Sequence, residues 1–300
     1  MAARTFAAVL KAAVRLIAPL DAEVLLACVQ NRTREYVLSH PEAQIGYFKN
    51  WRFGRLVRLR RAGVPVAYLT GRQEFFGRVF YVNRQVLIPR PDTEILVEAA
   101  AAELRQRLAD SGPSGLIRLV DVGTGSGCIP ISLLFTASLP DRERLDAWAT
   151  DVSRPALRVA RRNARRHLVA IRFVRGHLWK PLPGRLDSAP KAALIITANL
   201  PYLTAAQHAS EPTLAYEPRR ALVGGERGLS LYNEFLSGLG LWYRQTKNNG
   251  CPVTVFLEID PGQTAWAREL ASRHLPGASL EIKKDLGRRD RVIIIRLPRA

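Results

Sequence analysis

Residues 199–202 read Asn-Leu-Pro-Tyr, a combination suited to holding a planar amine while it reacts. The Asn199 side-chain oxygen and the Leu200 carbonyl can both accept hydrogen bonds from one NH2 group. Held by both, that nitrogen lies in line with an electrophilic carbon and is favoured in the pyramidal shape of the transition state. Pro201 stiffens the turn so that the carbonyl stays aimed. The Tyr202 ring offers a surface on which a planar substrate group can pack. No strong general base is required, because the proton can leave after the new bond forms. Asn- and Pro-rich turns also end strands with no chemistry attached. What favours chemistry here is the position, directly after the apolar run Ala192–Ala198. Asn199, Leu200, Pro201 and Tyr202 are therefore the candidates for catalysis and substrate binding.

A second constellation supplies a place for a cofactor. Asp121-Val122-Gly123-Thr124-Gly125-Ser126-Gly127 follows an apolar run and precedes a helical pattern. Glycine there lets the backbone turn sharply and approach a ligand closely. In an open α/β sheet, the carboxyl end of the first strand borders the ligand crevice. Asp151 ends the next apolar run, where a carboxylate can accept both hydroxyls of an adenosine ribose. A helix N-cap is the other role open to Asp151, although Ser153 serves equally well. The loop is Gly-x-Gly-x-Gly, not the dinucleotide Gly-x-Gly-x-x-Gly, and no Gly-Lys-Ser/Thr follows. That shifts the expected ligand from NAD or ATP to S-adenosylmethionine, which has the adenosine but no pyrophosphate.

The elements that position these residues alternate in type. Strands are expected at 116–122, 144–150, 171–174, 192–198 and 253–259, with a closing hairpin at 280–283 and 292–297. Helices are expected at 93–108, 155–167, 229–243 and 265–273. Such alternation predicts a mainly parallel sheet with helices on both faces. Residues 111–115, rich in Gly, Ser and Pro, read as a loop. Before residue 65 the pattern is helical with little strand signal. Phe6, Val9, Leu10, Val14 and Ile17 share one helical stripe, Asp21 stands where a cap is wanted, and Pro41 could open a further helix. Another helix is expected from Tyr47 through Leu59, its arginines on the wet side. Phe75 to Val82, with Gly77 at the turn, reads as a hairpin connecting two domains.

The totals set bounds. Three hundred residues, 47% hydrophobic and 24% charged, suffice for a full core in one large or two smaller domains. Cys28, Cys128 and Cys251 are too sparse for a disulfide scaffold or a zinc site, so no metal is expected and a reducing, cytoplasmic setting fits. No apolar run is long enough to span a bilayer. The acid-free start is read as a first helix rather than a presequence. A net charge of +19 favours acidic partners, with non-specific RNA or ribosome contact among them.

Taken in order, the motifs resemble the HemK/PrmC family, which methylates the glutamine of the Gly-Gly-Gln motif in class 1 peptide chain release factors. Pro65 to Gly71 and Phe76-Gly77 are similar to that family's interdomain linker. Val86-Leu87-Ile88-Pro89-Arg90-Pro91-Asp92-Thr93-Glu94 resembles its most recognisable stretch. Asp121 to Gly127, Asp151 with Asn163-Ala164, Glu217-Pro218-Arg219, Gly224 to Leu229 and Asp285 to Arg291 resemble its later signatures. The resemblance implies a helical, substrate-recognising domain over 1–72 and a β-hairpin linker over 73–88. It implies a class I S-adenosylmethionine-dependent methyltransferase domain over 89–300, Rossmann-like with a mainly parallel seven-stranded sheet. It carries Asp121, Gly123, Thr124, Gly125, Ser126, Gly127, Asp151 and Asn199 over as cofactor contacts. Asn199 to Tyr202 become the glutamine pocket.

Two departures stand out. The family has Asn-Pro-Pro-Tyr, and Leu200 replaces its second residue, keeping the carbonyl. Asn-Leu-Pro-Tyr is the form typical of rRNA adenine dimethyltransferases, so an RNA adenine is the main alternative substrate. A ribosomal-protein glutamine, or a non-catalytic RNA- or ribosome-associated role, also stays open. The second departure follows the third strand, where His177 and Leu178 occupy a position usually acidic and placed beside the adenine. The connection from Lys180 to Pro190 is longer than the family's usual one.

Overall fold

The computed structural model describes residues 4–112, 115–187, 192–225 and 227–298. Pro113 and Ser114 of the expected 111–115 loop, and Ser188 to Pro190 of the long connection, lie outside them. The chain divides into two units, residues 1–72 with 211–216 and residues 73–210 with 217–300.

The first unit is built from short helices: α1 (Phe6–Ala13), α2 (Pro19–Gln30), α3 (Arg34–Ser39), α4 (Tyr47–Arg61) and α5 (Val66–Thr70). Phe6 and Val9 of α1, Leu25, Leu26 and Val29 of α2, and Phe53 and Val57 of α4 share one core. Helix α1 stops before Val14, so the stripe reaching to Ile17 is not one helix. Asp21 lies in the first turn of α2 without capping it, and it accepts from Arg60 Nε at 2.6 Å instead. Helix α3, capped by the Thr33 hydroxyl, was not anticipated. Pro41 opens no helix; its carbonyl accepts from Ala7 N at 2.9 Å. Two short strands, β1 (Arg4–Thr5) and β2 (Gln44–Ile45), pair antiparallel where no strand was expected.

The second unit begins with a hairpin of β3 (Arg72–Phe75) and β4 (Arg78–Tyr81). Its two turn residues, Phe76 and Gly77, both have positive φ, the geometry of a type I′ turn. Phe76 is unusual there, and its amide is held by Glu94 Oε1 at 2.8 Å. Helix α6 (Thr93–Asp110) then leads to the main sheet of β5 (Ile117–Val122), β6 (Leu145–Asp151), β7 (Arg172–Arg175), β8 (Ala193–Ala198), β9 (Val253–Glu258), β10 (Ser279–Lys284) and β11 (Asp290–Arg296). The strand order is β10-β11-β9-β8-β5-β6-β7. Strands β5 to β9 run parallel, and β11 runs antiparallel to both β9 and β10. The remaining helices are α7 (Cys128–Thr136), α8 (Leu139–Arg142), α9 (Arg154–Arg166), α10 (Pro183–Asp187), α11 (Ala205–Ser210), α12 (Ser230–Thr246) and α13 (Thr264–His274).

Alternation along the strands divides the core in two. Val120, Val122, Leu194 and Ile196 pack with Tyr232, Phe235 and Leu239 of α12 and Ala267 of α13. Ile117, Leu119 and Ile195 face the other way, against Leu96, Val97 and Leu104 of α6 and Ile131 and Leu133 of α7. No helix among the described residues is long and apolar enough to cross a membrane.

Candidate active site

The strand order reverses at β5, which has β6 on one side and β8 on the other. Helices cannot cover the sheet continuously at such a point, so a crevice opens beyond the strand ends. The glycine loop leaves β5 here. Gly123 N and Thr124 N both donate to Thr150 O at 2.9 Å, turning the chain over the end of β6. Gly123 and Gly127 have φ of 76° and 81°. A Cβ on Gly123 would stand 3.1 Å from Leu200 Cδ2, and one on Gly127 3.2 Å from Ala160 Cβ. Side chains at either position would push the loop off its neighbours.

Asp151 closes the second side. Its Oδ2 accepts from Gly125 N at 2.9 Å and its Oδ1 from Ser153 N at 2.7 Å. The cap of α9 is Ser153, whose hydroxyl accepts from Ala156 N. Each Asp151 oxygen thus keeps acceptor capacity for a ligand. Burial raises the Asp151 pKa, opposed by those two amides and by the charge of Arg220.

Asn199 follows β8 directly. Its Nδ2 donates to Thr93 Oγ1 at 3.0 Å. Thr93 also lies close enough to Glu258, the last residue of β9, to lower its pKa. The Thr93 lone pair faces the Asn199 amide, which leaves the Thr93 proton free to be donated elsewhere. The Asn199–Thr93 bond fixes which end of the Asn199 amide points away, leaving Oδ1 as the acceptor for a substrate. Glu258 is fully buried, and desolvation pushes it up to about 7. The Leu200 carbonyl lies 3.1 Å from the Tyr232 hydroxyl, while the Leu200 side chain is buried.

One cavity gathers many of the expected residues: Gly123, Gly125, Asp151, His177, Leu178, Asn199, Leu200 and Pro201 line it. Others lie outside its lining. Asp121 sits behind the loop, accepting from Thr197 Oγ1 at 2.8 Å, and burial pushes it up to about 6. Thr124, Ser126 and Gly127 are likewise beneath the loop or in the turn leading to α7. Tyr202 packs its ring against the core around α12, with its hydroxyl 3.5 Å from Glu258 Oε1. It is not among the residues that line the cavity. His177 Nε2 meets Glu234 Oε2 at 2.8 Å, and Lys180 meets the other oxygen at 2.7 Å. An acid is therefore present beside this position after all, supplied by α12 and paired to the histidine.

Several site residues were not singled out from the sequence. Thr93 and Glu258 are two of them. Glu217, named from the sequence only within its signature segment, accepts from Ile88 N at 3.0 Å and pairs with Arg90, bringing Pro218 and Arg220 to the cavity. Asp92 pairs with Arg291 at 3.1 Å, and Arg291 also reaches Asp285 at 3.2 Å. Residues 86–94, 217–219 and 285–291 thus interlock around the crevice. The available signal was their joint occurrence, since no single residue type in them announces a role. Among the described residues no three His, Cys, Asp or Glu side chains are grouped to hold a metal ion.

The chain is similar to known proteins. Residues 2–71 match the family model described as the PrmC N-terminal domain. Over 91% of the chain, it is 35% identical to the release factor glutamine methyltransferase of Bacillus subtilis, spanning 89% of that protein. It is 41% identical to the enzyme of the same name from Nitratidesulfovibrio vulgaris over 70% of the chain and 66% of that protein. Among solved structures, the N-terminal domain of human METTL16 in complex with SAH is similar in fold, with a TM-score of 0.50 at 17% identity over 91% of this chain and 93% of that one. With 35% identity over 91% of its length to one such enzyme and an N-terminal match to the PrmC model, the chain belongs to the release factor glutamine methyltransferase family.

Proposed function

We propose that this chain transfers a methyl group from S-adenosylmethionine to the side-chain amide nitrogen of the glutamine in the Gly-Gly-Gln motif of a class 1 release factor, in the cytoplasm. The observation that carries the reading is the Asn199–Thr93 hydrogen bond, which leaves Asn199 Oδ1 as an acceptor at the cavity wall. The residues fit the cofactor. A side chain on Gly123 would crowd Leu200, Gly125 has a positive φ of 54° with open space beside it, and Asp151 holds spare acceptor capacity for two ribose hydroxyls. His177, bonded to Glu234, lines the cavity and is proposed to lie beside the adenine. Bound there, S-adenosylmethionine supplies an electrophilic methyl on a sulfonium.

The chain's own part is to hold the nucleophile. Asn199 Oδ1 and the Leu200 carbonyl accept from the two N–H groups of the glutamine amide, as those two acceptors are suited to do. So held, the nitrogen lone pair would be aimed in line at the methyl carbon that bound S-adenosylmethionine would supply. The amide nitrogen then loses a proton to water. Orientation and electrostatic stabilisation are the sources of rate expected from this arrangement. The helical first unit is proposed to grip the release factor.

The test is methyl transfer with labelled cofactor to a release factor, its Gln→Ala variant, and rRNA. Label on the intact release factor alone is expected. Label on rRNA alone would replace this reading with an adenine methyltransferase. Asn199→Ala should lower transfer by roughly a hundredfold, the range for a preorganised polar contact, with S-adenosylhomocysteine affinity little changed.

A further inference from the structure

Every exposed side chain of α9 is an arginine: Arg154, Arg158, Arg161, Arg162, Arg165 and Arg166. Among the described residues, none of the six has a carboxylate partner at ion-pairing distance. This is not how a merely solvated helix is built. Such helices mix signs, because like charges three or four residues apart destabilise them. Helix α6 does mix them, with Glu94, Glu98, Glu103, Arg105, Arg107 and Asp110. In α9 the first turn holds Arg154 and no acid, so that charge also opposes the helix dipole. The repulsion is relieved when an anion lies along the face.

The positive surface continues onto the sheet edge. Strand β7 is the outermost strand on this side, and its exposed side chains are Arg172 and Arg175. Between α9 and the strands lies an open groove lined by Arg161, Arg165 and Arg172, with one acid, Asp146, paired to Arg172 at 3.4 Å.

We propose that this face of α9 and β7 docks the phosphate backbone of duplex RNA, independently of base sequence. Residues four apart on one helix face are about 6 Å apart along its axis, on the order of the separation of successive phosphates in a strand. Guanidinium groups bind phosphate oxygens bidentately. Base stacking is not offered: no exposed aromatic residue lies on α9. The nearby rings of Phe173 and Tyr81 are covered by Arg161 and Arg162. A face with guanidinium forks and no stacking platform reads backbone, not unpaired bases.

The experiment measures binding of the full chain to a labelled 20-base-pair RNA duplex between 50 and 200 mM salt (about the range over which phosphate contacts dominate the response). The variant is Arg158→Gln, Arg165→Gln, Arg166→Gln, chosen because these side chains touch no ring and lie outside the cofactor cavity. A matched control replaces Arg52, Arg55 and Arg58 of α4 with glutamine, and melting temperatures verify the fold of each. Each lost phosphate contact lowers the log–log salt slope by about 0.9, so the α9 variant should lose about 3 in slope and at least about tenfold in affinity at 100 mM salt. The α4 control should keep the wild-type slope, and an Arg→Lys triple in α9 should keep most of it. No duplex binding by the wild type, or an unchanged slope in the α9 glutamine variant, would overturn the proposal. Equal competition by poly-glutamate at matched charge would overturn it too, pointing to an acidic protein as the occupant.

Discussion

Asn199 and Thr93, 106 positions apart in the chain, are joined by a 3.0 Å hydrogen bond that sets which atom of the asparagine amide faces the cavity. Thr93→Val keeps the shape and removes the hydroxyl. The Asn199 amide then loses its orienting partner, and methyl transfer is expected to fall about tenfold or more, while S-adenosylhomocysteine affinity stays within about twofold. Thr93→Ser should restore most of the rate. Equal kcat in the valine and wild-type enzymes would show that Thr93 has no part in orienting Asn199.

Asp151 offers the complementary case. It is tied to Gly125 N and Ser153 N, so its carboxylate shapes the loop as well as presenting acceptors. Asp151→Asn replaces one acceptor oxygen with a donor that faces an N–H. Calorimetry should record a loss of S-adenosylhomocysteine affinity of at least about tenfold, roughly one charge-assisted hydrogen bond. Unaltered affinity would remove Asp151 from the cofactor site.

Glu258 gives a pH signature. Burial holds its carboxyl at about 7, against an ordinary value of 4.5, so the folded chain resists ionising it. The unfolded chain ionises Glu258 first. The stability tied to the neutral form is therefore complete below about pH 4.5 and is lost as pH rises through 7. Asp121, at about 6, acts in the same direction. Glu258→Gln stays neutral throughout. Relative to wild type, the variant should gain stability between pH 5 and 8 (roughly 3 kcal/mol by linkage), seen as diverging melting temperatures. Parallel melting curves across that range would contradict the burial account.

Glu217 tests the interlock of the signature segments. It accepts from Ile88 N and pairs with Arg90, and its side chain is almost wholly buried. Glu217→Ala leaves an amide and a guanidinium without that partner, at a cost of about 2–3 kcal/mol. Because Pro218 and Arg220 line the cavity, cofactor affinity should fall with stability. A variant as stable as wild type, with normal affinity, would mean that the segment is held by other contacts.

Much of this site was legible because its parts are local. The glycine loop, Asp151 and Asn199 each sit at a strand end, and strand ends follow from apolar runs that the sequence displays. The seven strands were likewise found within a residue or two: β5, β8 and β9 read as continuous apolar stretches because they are buried and parallel, whereas β10 shows the alternation of a half-exposed edge strand. What escaped was non-local. Thr93 looks like an ordinary residue at a helix start, and only the fold brings it to Asn199. Tyr202 is expected against the substrate from its type alone, and its packing on the core around α12 is what residue type could not reveal. Asp121 was grouped with the cofactor contacts by adjacency, but a residue inside β5 points behind the loop. In the first unit, α3 was missed because its six residues are too short for a periodic pattern, and Thr33 was its one clear start signal.

The strand order carries a consequence for the chain during its synthesis. Strand β11 follows β10 in sequence but lies between β10 and β9. Until β11 has left the ribosome, β9, with Phe256 and Leu257, presents a bare apolar edge with unpaired backbone groups. A nascent chain halted before residue 290 therefore exposes a template for intermolecular pairing, and it is sequestered only when β11 slots in. Ribosome-stalled or truncated products of this gene should accumulate as aggregates or chaperone clients, whereas full-length chains close the edge themselves.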